Sequence, residues 1–123
     1  MSQFDDIRSR LTNEEPLSPV AVGDVASIRS AYSGIPEDYL EFLGTLGFGN
    51  LRNLFLYSGP SPGSELYKND ALKDIILIGD DGQGYCFGFD SKAAYQLVEV
   101  DPRGSVEPIE ARSFAELIRA RLD

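Results

Sequence analysis

Apolar residues first recur at helical spacing in the opening dozen positions, where Phe4, Ile7 and Leu11 lie three and four residues apart. Ser2 can cap that helix, and Asp5 and Asp6 fall in its first turn, where unpaired N–H groups favour acids. Residues 13–23 carry Pro16, Pro19 and Gly23, which interrupt a helix and predict a connector. A second helix is expected from Asp24 as its cap, turning Val25, Ile28 and Tyr32 inward. Gly34 ends it, and Pro36 opens the strongest helical pattern of the chain, IPEDYLEFLGTLGFG. There Tyr39, Phe42, Leu43 and Leu46 share one face, while Glu37, Asp38 and Glu41 take the other side or the first turn. Gly47 and Gly49 stop the helix, because glycine reaches the left-handed backbone that helix ends use.

Beyond that point the period changes. LRNLFLYS, DIILIG, YCFGFD and QLVEVD are short runs rich in β-branched and aromatic residues, bounded by Gly, Asp, Asn and Pro, and they predict strands. DDGQG at residues 80–84 joins Ile75–Gly79 to Tyr85–Asp90, and DPRG at residues 101–104 joins Leu97–Val100 to a last strand over Val106–Ile109. SGPSPGSE, residues 58–65, reads as a flexible loop able to contact a partner. The chain closes on SFAELIRARL, where Ser113 and Glu116 form a capping box and Phe114, Leu117, Ile118 and Leu122 form an apolar stripe that needs a sheet face to cover. The fold class predicted is α+β: N-terminal helices, a mainly antiparallel sheet meander and a C-terminal helix packed on the sheet. At 123 residues, with 42% hydrophobic residues spread along its length, the chain supports a single domain over 1–123. It contains no internal repeat or low-complexity tract.

Charge narrows the partners. Eleven Lys and Arg stand against twenty Asp and Glu, a formal charge of −9. That field repels a phosphate backbone, so direct nucleic-acid binding is disfavoured, whereas encounter with a basic protein is accelerated. Acidity that serves only solubility is the other reading. Cys86 is the one cysteine, so no intrachain disulfide can form and a reducing compartment is expected. The N-terminal MSQFDDIRSRL carries acids where a signal peptide carries bases, and no run approaches ~20 apolar residues; a cytoplasmic protein without a membrane span is expected.

Reactive chemistry is sparse. Histidine is absent, which removes the commonest general base, the usual partner of Ser or Cys nucleophiles, and most zinc and iron sites. Cys86, mid-strand and without an activating base, reads as a small core residue. GFGN at residues 47–50 follows a helix, and Arg52 stands where a dinucleotide fingerprint needs glycine. Asp80, Asp81 and Asp90 could suggest a hard cation, but they lack the spacing of a calcium loop, and Asp-Gly is what a tight turn requires. A carboxylate pair for hydrolysis could arise by chance among twenty acids. Catalytic, cofactor and metal residues are therefore expected to be none. Tyr57, Tyr67, Tyr85 and Tyr95 sit among acids, either as interface aromatics or as half-buried strand residues. Between Glu65 and Glu110 there are ten acids and four bases, so Asp80, Asp81, Tyr85, Tyr67 and Glu65 are the candidate partner-contacting residues.

IPEDYLEFLGTLGFG, DIILIGDDGQGYCFGFD, LVEVD and SFAELI, in that order over residues 24–122, resemble the SUKH superfamily. That group includes bacterial immunity proteins and fungal cell-wall-synthesis regulators of the Smi/Knr type. The resemblance implies a non-catalytic immunity protein that neutralises a cognate toxin by docking on it; the acidity of the chain points to a toxin with a basic surface, a nuclease being one candidate. It transfers no functional residue by position. A regulatory adaptor of the same fold is the alternative, and a small carboxylate-based hydrolase a third reading.

Overall fold

The computed structural model describes residues 3–11, 16–52 and 54–122. Ser2 and the side chain of Leu122 lie outside the described residues. The chain runs through helices α1 (Asp5–Arg10), α2 (Val22–Ala31) and α3 (Glu37–Thr45), then strands β1 (Gly49–Leu51) and β2 (Leu54–Pro62), helix α4 (Gly63–Tyr67), strands β3 (Ile75–Asp80), β4 (Cys86–Asp90), β5 (Gln96–Val100) and β6 (Val106–Pro108), and helix α5 (Phe114–Leu122). The six strands form one antiparallel meander in the order β1 to β6. This is the α+β arrangement expected from the patterning.

The α3 stripe is the centre of the core. Tyr39, Leu40, Phe42, Leu43 and Leu46 are all buried. Its aromatic rings meet edge to face with those of neighbouring elements: Phe42 with Phe4 at 5.1 Å and Phe114 at 5.3 Å, and Tyr39 with Phe114 at 5.2 Å and Phe89 at 5.7 Å. Such pairs add specificity of orientation to area burial. Phe114, Leu117 and Ile118 of α5 join the same cluster, with Leu54, Leu56, Ile78, Phe87, Phe89 and Leu97 facing them from the sheet. Asp38 ties the two helices at their starts: one carboxylate oxygen accepts from Tyr39 N at 2.8 Å and the other from Ala115 N at 2.9 Å. Ser113 Oγ accepts from Glu116 N at 3.1 Å, which is the Ser113 half of the capping box anticipated for α5.

Several boundaries differ from expectation. α2 begins at Val22, with Ala21 at its cap, so Asp24 falls in the first turn and Gly23 lies inside the helix instead of closing a connector. The Ala21 carbonyl accepts from both Asp24 N and Val25 N, which starts the helix without a side-chain cap. Val25, Ile28 and Tyr32 pack on the core half-buried. LRNLFLYS is not one strand: Leu51 pairs with Leu54 across a tight turn, with Arg52 at φ 55°. The segment 58–65 is not a flexible loop, since β2 continues to Pro62 and α4 follows directly. A break in register between Leu56 and Ser61 explains how a strand holds Pro60, for prolines fit where ladder bonds are interrupted, and Pro62 is its last residue.

Gly47, at φ 109°, must be glycine for a second reason: a Cβ there would collide with the Ser18 carbonyl, whose residue bridges to Phe48. The other sheet face carries a smaller cluster of Leu72, Ile75, Leu77, Val98 and Val100 beneath α4, with Tyr57, Tyr67 and Cys86 at its edge. Among the described residues no helix is long and apolar enough to cross a membrane.

Leu43 is fully buried in the middle of the α3 stripe. Replacing it with Ala should cost about 2–5 kcal/mol in urea unfolding, the range for buried leucines. A loss below about half a kcal/mol would mean that this face does not carry the core.

Candidate interaction surface at the loop end of the sheet

Antiparallel pairing gathers the β1–β2, β3–β4 and β5–β6 connections at one end of the sheet, because Leu54, Asp80, Cys86, Val100 and Val106 all stand at that end of their strands. Two of these turns are built by aspartates. Asp80 Oδ1 accepts from Gly82 N at 2.9 Å, and Asp81 Oδ1 accepts from Gln83 N at 2.8 Å and Tyr85 N at 3.2 Å. Asp101 Oδ1 repeats the device with Arg103 N at 2.8 Å and Ser105 N at 2.9 Å. Short side chains that bond their own backbone two residues on are why Asp recurs at such turns.

Asp80, Asp81 and Tyr85 therefore share one turn, and Tyr85 is 41% exposed beside it. The aspartates build the turn itself, the role that the Asp-Gly pattern predicts. Glu65 is exposed in the first turn of α4, at the far end of β2, where Pro62 stands opposite Ile76; it is not gathered with the others. Tyr67 reaches back from α4 to the loop end, where its hydroxyl donates to the Val100 carbonyl at 3.2 Å. Tyr57, Tyr67 and Tyr95 are half-buried, so of the four tyrosines considered Tyr85 is the exposed one.

On the α4 side, Tyr57, Asp80, Cys86 and Tyr67 form a polar knot. The Tyr57 hydroxyl donates to Asp80 Oδ2 at 2.8 Å and lies 3.8 Å from Cys86 Sγ. Cys86 is thus half-buried at the start of β4 and touches a hydroxyl, instead of being a plain core residue. Burial, then the Asp80 bond, hold the Tyr57 phenol well above its ordinary value. Burial raises Tyr67 in the same direction, with Cys86, Asp101 and Asp80 adding to it. Among the described residues no cluster of three or more His, Cys, Asp or Glu is arranged to hold a metal ion.

A second group escaped the sequence reading. Glu99 and Glu107 stand directly opposite each other across β5 and β6. With Tyr85, Asp101 and Ser105 they line a hollow of about 170 Å³. Their alternation in QLVEV and VEP is visible in the sequence, but their juxtaposition needs the register of the two strands.

Raised folded-state phenols predict the pH response. Unfolded tyrosines ionise near pH ~10 while Tyr57, Tyr67 and buried Tyr39 stay protonated, so the unfolded state sheds protons first and stability falls as pH rises above that value. Phenolate absorbance should lag in the native protein relative to the denatured one. Coincident titration curves would show these rings to be solvated.

No protein-family model, curated protein or solved structure is significantly similar to this chain.

Proposed function

We propose that this protein is a non-catalytic binding domain that neutralises a cognate protein toxin by docking on it through the loop end of its sheet. The observation that carries this reading is the Glu99–Glu107 pair. Like charges directly opposite in a sheet destabilise it, and here the cost is kept at a hollow that Asp101 also lines and that the exposed Tyr85 flanks. A cationic side chain entering that hollow relieves the repulsion and stacks on an aromatic wall. The −9 charge of the chain draws such a partner in, and Tyr85 supplies the kind of aromatic area that slows dissociation once contact is made. The absence of histidine from the sequence and the SUKH resemblance favour inhibition by contact over chemistry.

The decisive experiment co-expresses the protein with the toxin encoded beside its gene, scoring growth rescue and a stoichiometric complex by native mass spectrometry. Rescue with a complex supports the reading; neither rescue nor complex, or the lack of any such gene, leaves the adaptor alternative. Given a complex, Glu99→Gln with Glu107→Gln should leave thermal stability equal or higher and lower the association rate several-fold at low salt, while Tyr85→Ala should raise the dissociation rate. Unchanged kinetics in both would move the interface off this surface.

A further inference from the structure

Side chains join helix α1 to the rest of the fold. Its described backbone bonds, Arg8 N to the Phe4 carbonyl and Leu11 N to the Arg8 carbonyl, stay within the helix and its caps. On α3, Glu41 accepts from Gln3 N and Gln3 Nε2, both at 3.1 Å, and the Thr45 carbonyl accepts from Arg8 at 3.0 Å. On α5, Arg119 donates to both Asp6 carboxylate oxygens at 3.2 Å and to the Gln3 carbonyl at 2.6 Å. Its guanidinium also lies 5.8 Å from the centre of the Phe4 ring. Beneath these contacts Phe4 and Ile7 are fully buried and Leu11 is half-buried.

We propose that the seam of α3 and α5 is an interaction surface for an amphipathic helix, and that the α1 of a second copy can replace the chain's own there, giving a strap-exchanged dimer. The proposal does not depend on the toxin-binding reading.

Three observations support it. Phe4, Ile7 and Leu11 are spaced i, i+3 and i+7, the anchor pattern by which a helix seats in the groove of another protein. A helix of six residues is too short to persist alone, so α1 forms as it docks and melts as it leaves, without unfolding the sheet. The next fixed point of the chain is Ser18, bonded to Phe48 at 3.0 Å in both directions. Residues 12–17 between them reach at most about 20–25 Å when extended. A strap on that tether reaches only a copy whose own seam lies alongside, so exchange is reciprocal and closes a two-fold pair instead of an open chain.

The occupant follows from the chemistry of the seat: an aromatic ring under Arg119, an acid two residues on to pair with it, and an aliphatic residue after that. The segment Phe4–Asp6–Ile7 of another copy meets all three, with the same contacts it makes within one chain. Arg119 and Asp6 are partly exposed, so salt weakens the latch and favours exchange.

The test reverses the latch in two full-length chains. Asp6→Arg in one and Arg119→Glu in the other set like charges together within each chain and within any pair of identical chains. Only reciprocal exchange between the two variants gives every strap an opposite charge. By light scattering each variant alone should have the mass of one chain, and an equimolar mixture should form a heterodimer of twice that mass. Both reversals in a single chain should restore a monomer. In the Arg119→Glu chain trypsin should cut after Arg8 and Arg10 several-fold faster than in the unaltered chain, and mixing should slow it again. A mixture that stays at the mass of one chain, with both variants folded by circular dichroism, would overturn exchange. A heterodimer that survives Phe4→Ala in both chains forms elsewhere and would overturn the seam as its site. If a charge reversal prevents folding, Asp6→Asn carries the cleavage measurement, and cleavage unchanged there would overturn the strap.

Discussion

Burial of one face of α3 is the interaction on which the rest of the structure depends, because the other helices of this layer and the segment before α2 are bonded to it as well as packed on it, and the sheet packs against it. Arg8 from α1 donates to the Thr45 carbonyl at 3.0 Å, and Val20 N donates to the Leu43 carbonyl at 2.8 Å. Arg29 from α2 meets Glu37 at 2.8 Å, and Asp38 accepts from the first turn of α5. The Arg29–Glu37 pair is exposed and contributes little by itself. The Asp38 bond differs in kind, since it satisfies an N–H that α5 would otherwise leave unpaired at its start. Sequence-distant segments are thus indexed to one helix by directional bonds, while the aromatic rings of Phe4, Phe42, Phe114, Tyr39 and Phe89 provide the area. Within this core the Tyr39 hydroxyl is buried without a hydrogen-bond partner among the described residues, a polar cost that the ring contacts around it offset.

With α3 and α5 covering one face, the sheet needs cover for the apolar residues that alternate onto the other. Ile75, Leu77, Val98 and Val100 point there, and α4 with the turn after it closes over them. This second layer explains the composition of residues 58–65. Gly63 lies so close to Leu72 and Ile75 that a side chain would crowd their carbonyls. Glycine and proline there serve close packing and a broken ladder, where composition alone suggests a loose loop.

That contrast separates what was legible in the sequence from what was not. Helical and alternating periods are local signals, so α3, α5 and β3 to β6 were readable almost residue by residue. The start of α2 was misread because its cap is a bare carbonyl, which leaves no side-chain mark, and because Gly23 is tolerated within the helix. The β1–β2 hairpin was missed because its turn residue, Arg52, adopts a left-handed backbone that its identity does not advertise. Of the candidate contact residues, Asp80, Asp81 and Tyr85 were legible as a group since one short turn carries them. Glu65 was wrongly grouped because nearness in sequence was taken for nearness in space. Glu99 facing Glu107, and Arg52 sharing a cavity with Arg121, depend on register and on packing of the chain ends, for which a single sequence holds no local signal.

The β3–β4 turn lies between the two flanks of the loop end and belongs to both: Asp81 lines a notch with Asn50, Arg52 and Phe55, and Tyr85 lines the acidic hollow. A direct bond joins them, Tyr85 N to Asp81 Oδ1 at 3.2 Å, and Gly82 and Gln83 are held by the same pair of aspartates. A turn fixed by its own side chains loses little entropy on contact, so its two flanks keep a set spacing. Net charge alone attracts a basic surface in any orientation. On the proposed reading, charges fixed beside one turn would make approach directional, because a misrotated basic partner would miss the acidic hollow. The acidity of the chain would then set how fast such a partner arrives, and the placement of Glu99, Glu107 and Tyr85 how it sits.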